Sequence, residues 1–219
     1  MANRQGSFVV IGLGNFGSTV ATELVRFGNY VIGIDLDEAL VSAHAETLNQ
    51  ALILDARDDE ALRHAGIDAC GAGVIGMGSS LEASVLATMN LRLLGIERIW
   101  AKATSRTHHR ILSKLGADRV IHPEVDVGRQ IAQVLHNPLV RDYVALGNGF
   151  HVVNLRIPAT LDGKPLNGLP LRKFNLRCLG VMRGTEFIAS DGPNAVLHGD
   201  DRLLLLGRRA DLRSYTATL

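Results

Sequence analysis

The chain of 219 residues is poor in the features that would settle its class at once. It has only two cysteines, Cys70 and Cys178, far apart and in no metal-ligand spacing. That excludes a disulfide framework and a cysteine-based zinc site. Both thiols are expected to be reduced and at least partly buried. An excess of charge is absent too. With 23 Lys and Arg against 22 Asp and Glu, the net charge is +1, which gives no basis for general nucleic-acid binding. No apolar run approaches the roughly 20 residues that span a bilayer. The start, Met1 to Gly6, is short and polar, so no signal peptide is expected. No G-x-S-x-G, H-E-x-x-H or cysteine–histidine signature occurs. What remains is 47% hydrophobic residues, enough for a sizeable core. The length suits one large domain or two small ones in a soluble cytosolic protein.

What is present begins at residue 8. Phe8-Val9-Val10-Ile11 is a short strand pattern. Gly12-Leu13-Gly14-Asn15-Phe16-Gly17 follows, then a helical pattern with Phe16, Val20 and Leu24 on one face. A second strand, Tyr30 to Ile34, ends in Asp35. A bare G-x-G-x-x-G is weak evidence. Here it follows a strand, opens a helix and has an acid about twenty positions on, as a dinucleotide-binding βαβ unit requires. Gly12 permits the tight turn, Gly14 lets a pyrophosphate approach the backbone, and Gly17 lets the helix pack closely on the sheet. The helix N-terminus presents N–H groups and partial positive charge to the phosphates. Asp35 is placed to accept from ribose hydroxyls, and its charge disfavours a 2′-phosphate.

The alternation continues. Strand patterns occur at 51–54, 73–77, 98–102 and 119–121, with helical patterns at 37–47, 58–65, 81–94 and 105–115. Repeated βα units of this length predict a parallel sheet with helices on both faces. Ligands of such sheets lie at the carboxyl ends of the strands. Asp35, Asp55, Ala56, Met77, Gly78, Ser79, Lys102 and Glu124 fall at or just past those ends. Ala56 is small enough for an adenine ring to approach, and Ser79 or Ser80 caps the next helix. Lys102 ends an apolar strand, where a lysine faces either a cleft or solvent. His108 and His109 sit in a helical stretch and are expected at a surface or interface.

The second half changes character. Residues 126–136 read as an amphipathic helix stopped by Pro138. Short strands follow at 150–157, 178–182, 186–189 and 202–207, with a turn cluster at Asp191-Gly192-Pro193-Asn194 and a short terminal helix. The expected organisation is a nucleotide-binding domain over 1–125, a linking helical segment over 126–146, and a C-terminal domain over 147–219. In fold class this is α/β, a doubly wound parallel Rossmann-type sheet followed by a small α+β domain.

Particular stretches carry a family resemblance across essentially the whole chain. They are the glycine loop with Asp35, Ile53-Leu54-Asp55-Ala56, Trp100-Ala101-Lys102-Ala103, and Gly116-Ala117-Asp118-Arg119-Val120-Ile121-His122-Pro123-Glu124. Leu161-Asp162-Gly163-Lys164-Pro165-Leu166 adds the mark of a C-terminal domain. The chain resembles the RCK proteins, regulators of conductance of potassium, in particular the gating subunits of bacterial Ktr- and Trk-type potassium uptake systems.

The resemblance implies an allosteric, non-catalytic protein. Dimers form through the linking helix and assemble into an octameric ring. The ring docks on the cytoplasmic face of a membrane-embedded potassium channel or transporter. ATP or ADP, or NAD or NADH, bound in the N-terminal domains sets the state of the pore. By position, Gly12, Gly14, Asn15, Phe16 and Gly17 surround the phosphates and Asp35 holds the ribose. Asp55 and Ala56 line the adenine pocket, beside Met77 and Gly78, and Lys102 approaches the phosphates. Glu124 matches an acidic position that helps hold Mg²⁺, Ca²⁺ or Na⁺ between two subunits. As a bare residue it also reads as the first-turn acid of the next helix. ATP-gated members often carry an arginine at position 15, where this chain has Asn15, which leaves NAD or NADH open as ligand. Two other classes compete: an NAD-dependent oxidoreductase, and a sensor of cyclic dinucleotides using Arg156, Arg172, Lys173 and Arg177 of the C-terminal domain.

Overall fold

The computed structural model describes residues 6–78, 80–189 and 196–219. The chain divides into two compact units between Pro123 and Glu124. The first alternates strands and helices: β1 (Ser7–Ile11), α1 (Asn15–Arg26), β2 (Tyr30–Asp35), α2 (Glu38–His44), β3 (Gln50–Ile53) and α3 (Asp59–His64). It continues with β4 (Ala72–Ile75), α4 (Leu81–Leu93), β5 (Arg98–Lys102), α5 (Arg106–Lys114) and β6 (Arg119–Ile121). All six strands are parallel, in the order β3-β2-β1-β4-β5-β6. The chain winds outward in one direction from β1 and then in the other from β4. The topological switch point therefore lies between these two neighbours.

Side chains alternate across the sheet, so each strand feeds two cores. Val9, Ile11, Ile32 and Ile34 point to one side, where they pack with Leu62, Leu91, Ile99 and Leu112. Val10 and Val31 point to the other, with Leu13, Ala21, Val41 and Leu48. Both faces are thus covered, and the strands read as continuous apolar runs instead of alternating ones. Four of the helices start on a side-chain cap, from Asp37, Asp58, Ser80 and Ser105. The α1 helix stops at Gly28, whose φ of 81° turns the chain out of the helix while its N–H meets Val25 O.

The α1 face differs from the expected Phe16–Val20–Leu24 stripe. The residues it buries are Gly17 and Ala21, one position further round. A helix lying this close to a sheet needs its smallest residues underneath, and the half-exposed Phe16 is left toward the strand ends.

The second unit contains α6 (Pro123–His136), β7 (Val140–Gly147), β8 (Phe150–Arg156), β9 (Arg177–Arg183), β10 (Glu186–Ala189), β11 (Arg202–Arg208) and α7 (Arg209–Thr216). Its sheet is antiparallel, in the order β10-β9-β11-β8-β7. The core is formed by Val153, Leu155, Val181, Leu203 and Leu205, capped by Leu212 and Tyr215 of α7. The segment 126–146 is not one helical link. Helix ends at His136, and residues 140–147 form an edge strand on β8. Only Val140 of that strand is buried, and it carries Arg141 and Asp142. An edge strand of this kind leaves little apolar alternation to read. The expected turn at 191–194 lies outside the described residues. Among the described residues, no helix is long and apolar enough to cross a membrane.

Candidate functional site

The register of the parallel sheet brings three strand ends level. Ile11 pairs with Ile34 on one side and with Ile75 on the other. The chain leaves β1 through Gly12, whose N–H donates to Ile34 O, while Gly76 N–H donates to Ile11 O (both 2.7 Å). Gly17 then returns beneath this turn. A Cβ on Gly17 would lie 1.8 Å from Gly12 O, and one on Gly76 would lie 3.0 Å from the same oxygen. Gly76 was not singled out in the sequence; it is needed because two backbone segments touch there.

Gly14 behaves differently. Its backbone is of an ordinary extended kind, with φ −62° and ψ −179°. A Cβ there would meet nothing within 4 Å. The protein's own packing does not require glycine at this position, whereas a ligand pressed against the backbone would. Gly14 is also the N-cap of α1, with no side-chain cap and no acid in the first turn. The other four helices of this unit are capped by their own side chains, so α1 alone presents an open N-terminus to an anion. An open helix N-terminus of this kind suits an anionic group.

Around this point the expected residues gather. Asp35 ends β2 and holds the glycine loop: Leu13 N–H donates to its Oδ2 (2.6 Å) and Asp37 N–H to its Oδ1 (3.0 Å). The sequence assigned Asp35 to the ribose alone, and its anchoring of the loop was not foreseen. Met77 lies against Gly12, and Gly78 lies under the Lys102 side chain: a Cβ on Gly78 would come within 3.6 Å of Nζ. The Lys102 ammonium is 5.9 Å from the centre of the Phe16 ring. Thus Gly12, Phe16, Gly17, Met77, Gly78 and Lys102 share one end of the sheet. Asn15 is exposed in the first turn of α1.

The neighbouring β3 end carries Asp55. Its carboxylate is gripped by the Arg57 guanidinium through Nε (3.0 Å) and Nη2 (2.7 Å), and it accepts Arg57 N–H as well. These bonds to Arg57 hold the Asp55 carboxyl below its ordinary pKa. Arg57 was missed; the only signal was its place two residues after the acid. Ala56 is a core residue, buried at 4% exposure, so its methyl group is not an open pocket wall. Asn90 of α4 fixes this turn by donating to the carbonyls of Ala56 and Arg57 (3.0 and 2.9 Å). Ser79 lies outside the described residues. The cap of α4 is Ser80, whose Oγ accepts from Ala83 N–H.

Glu124 stands in the second unit, exposed in the first turn of α6 beside Asp126. Among the described residues, no group of three or more His, Cys, Asp or Glu is placed to hold a metal. His108 is buried at 1% exposure inside the unit, where a surface or interface position was expected. Its Nε2 lies 3.1 Å from Ser84 Oγ and its Nδ1 3.4 Å from Thr104 N. Burial, with His122 second, pushes its pKa below 6.5. His109 is linked to His122, with Nδ1 3.0 Å from Nε2. Arg156, Arg172, Lys173 and Arg177 are all exposed. Cys70 and Cys178 are free, one buried and one half-buried, as expected. Burial pushes the Cys70 thiol up to about 11.

The TrkA-N domain model matches residues 8–123, and the TrkA-C domain model matches residues 151–219. The chain belongs to the RCK family. It is 35% identical over 214 residues to the Ktr system potassium uptake protein A of Bacillus subtilis (strain 168), covering 97% of this chain and 96% of that protein. It is 32% identical over 220 residues to the protein of the same name from Vibrio alginolyticus, covering 100% of both. The RCK domain of GsuK shares the fold, with a TM-score of 0.53 and 21% identity. That alignment covers 100% of this chain, which spans 48% of that longer structure. The two named sequence relatives are potassium uptake proteins.

Proposed function

We propose that this chain is the cytosolic gating subunit of a potassium uptake channel or transporter, switched by an adenine nucleotide. The observation that carries the reading is the uncapped N-terminus of α1 at Gly14, facing open space at the switch point. Full-length similarity to Ktr system proteins supports the role in potassium uptake.

In this reading the N–H groups of Asn15, Phe16 and Gly17 receive the phosphates, and Lys102 adds a positive charge. Asp35 has lone pairs left for ribose hydroxyls while it steadies the loop. Asp55, with Arg57, borders the adenine. The role assigned to the site is to bind and hold. Gating then requires two conformations with different affinities for two nucleotides. A tenfold difference per site shifts the balance by about 1.4 kcal/mol, and a ring of identical subunits multiplies that shift.

Assembly follows from α6, which buries none of its residues in the single chain. Val127, Ile131 and Leu135, spaced by four, are exposed at 52%, 52% and 77%. Such a stripe is the expected face of a helix paired with a second copy. Two Glu124 carboxylates related by a dimer axis would form a better site for Mg²⁺, Ca²⁺ or Na⁺ than one. Eight copies in a ring on the cytoplasmic side of the transporter complete the proposal.

The test is isothermal titration of the purified protein with ATP, ADP, NAD, NADH and AMP, with and without Mg²⁺. The expected result is saturable binding of at least one pair, with unequal affinity within it. ATP and ADP would mark a Ktr-like gate despite Asn15, and NAD and NADH a Trk-like one. Absence of binding by all five overturns the proposal.

A further inference from the structure

The second unit contains a cavity of about 330 Å³ between the end of α6, β7, β8 and α7. That is within the range of small-ligand pockets. Its apolar lining includes Val140, Val153 and Leu212. Arg209 and Arg213, one helical turn apart on α7, line it as well. Among the described residues, neither arginine makes an ion pair, and no aspartate or glutamate lines the cavity. Both side chains are exposed, so solvent screens their mutual repulsion, and an anion placed between them would meet two guanidinium groups.

Arg209 opens α7, a helix with no side-chain cap; Asp211 stands in the same first turn and Arg213 in the last. Tyr143 of β7 also lines the cavity.

We infer that this cavity binds a small organic anion: a phosphate or carboxylate head held by Arg209 and Arg213, with a compact apolar body against Val140, Val153 and Leu212. The site is separate from the glycine loop and lies in the other unit. A bound anion would tie α7 to α6 and so reach the helix proposed to pair the subunits.

The probe is phenyl phosphate, with inorganic phosphate and phenol as its two halves, titrated into the full chain by calorimetry. Phenyl phosphate should bind saturably and more tightly than either half. The double variant Arg209→Gln/Arg213→Gln should weaken it at least about tenfold, because each charge-assisted hydrogen bond lost carries a large penalty, while nucleotide binding stays unchanged. Gly14→Ala should do the reverse. Absence of saturable binding by the wild-type chain overturns the inference. So does equal binding by the double variant, and so does loss of probe binding in Gly14→Ala, which would put the probe on the glycine loop.

Discussion

Gly14 and Gly17 stand three residues apart in the same motif, and alanine should have opposite consequences at the two positions. A Cβ on Gly17 would lie 1.8 Å from the Gly12 carbonyl oxygen, against 3.4 Å for an ordinary contact. The atom in the way is backbone, fixed by the hydrogen bond from Gly12 N–H to Ile34 O, so it cannot rotate aside. The α1 helix must lift from the sheet, separating Gly17 and Ala21 from the core. Forced overpacking typically costs about 1–3 kcal/mol, and a backbone clash belongs at the top of that range. The better helix propensity of alanine returns at most about 1 kcal/mol. The net loss is about 2 kcal/mol, or roughly 8 °C in melting temperature for a unit of this size. At Gly14 the same methyl meets nothing within 4 Å, so stability should change by no more than about 0.5 kcal/mol. The methyl does enter the space assigned to the pyrophosphate and should weaken nucleotide binding about tenfold, as a cost of about 1–3 kcal/mol implies. The assay is thermal unfolding followed by Trp100 fluorescence. Trp100 is the sole tryptophan and lies on β5, so it reports the N-terminal unit alone. Calorimetric titration with the nucleotide that binds the wild-type chain completes it. A Gly17→Ala protein as stable as wild type would refute the packing argument, and a Gly14→Ala protein of wild-type affinity would refute the ligand argument.

Two other perturbations follow from the same geometry. Asp35→Ala should both abolish measurable nucleotide binding and lower N-terminal stability by roughly 2 kcal/mol, since the N–H groups of Leu13 and Asp37 lose their acceptor. Asp35→Asn, which keeps an oxygen, should recover part of the stability; equal melting of Asp35→Ala and wild type would show that the loop does not need the anchor. His108 has a folded-state pKa lowered beneath 6.5, first by burial and then by His122. Protonation therefore favours the unfolded chain. Its contribution is complete above about pH 6.5 and is lost as the pH falls through the lowered value, so the Trp100 melting temperature should drop over that window. The slope should flatten in His108→Gln, and an unchanged slope would remove His108 as its source.

Much of the site was legible because it is local. The turn, the helix entry and the acid at the end of β2 lie within 28 residues, and each follows from steric or electrostatic needs of one βαβ unit. What escaped reading depends on distant partners. Arg57 becomes visible only when its fork closes on Asp55. Asn90 reaches a turn 33 and 34 residues earlier, and Gly76 matters because α1 returns to lie across it. His108 looked like a surface residue in a polar helix, and its burial is set by Ser84 on a neighbouring helix. The β7 strand was hidden because it is an edge with one buried residue.

By itself, then, the sequence determined the alternation of strands and helices, the glycine loop and its acid, and the change to short strands and turns in the second half. These are properties of backbone sterics and of hydrophobic period, which act over a few residues. Only the tertiary structure decided the strand order, the nearness of Lys102 to Phe16 and Gly78, the burial of Ala56 and His108, and the cavity under α7. Each of those requires two segments far apart in the chain to meet, and where they meet is fixed by packing that no local pattern encodes.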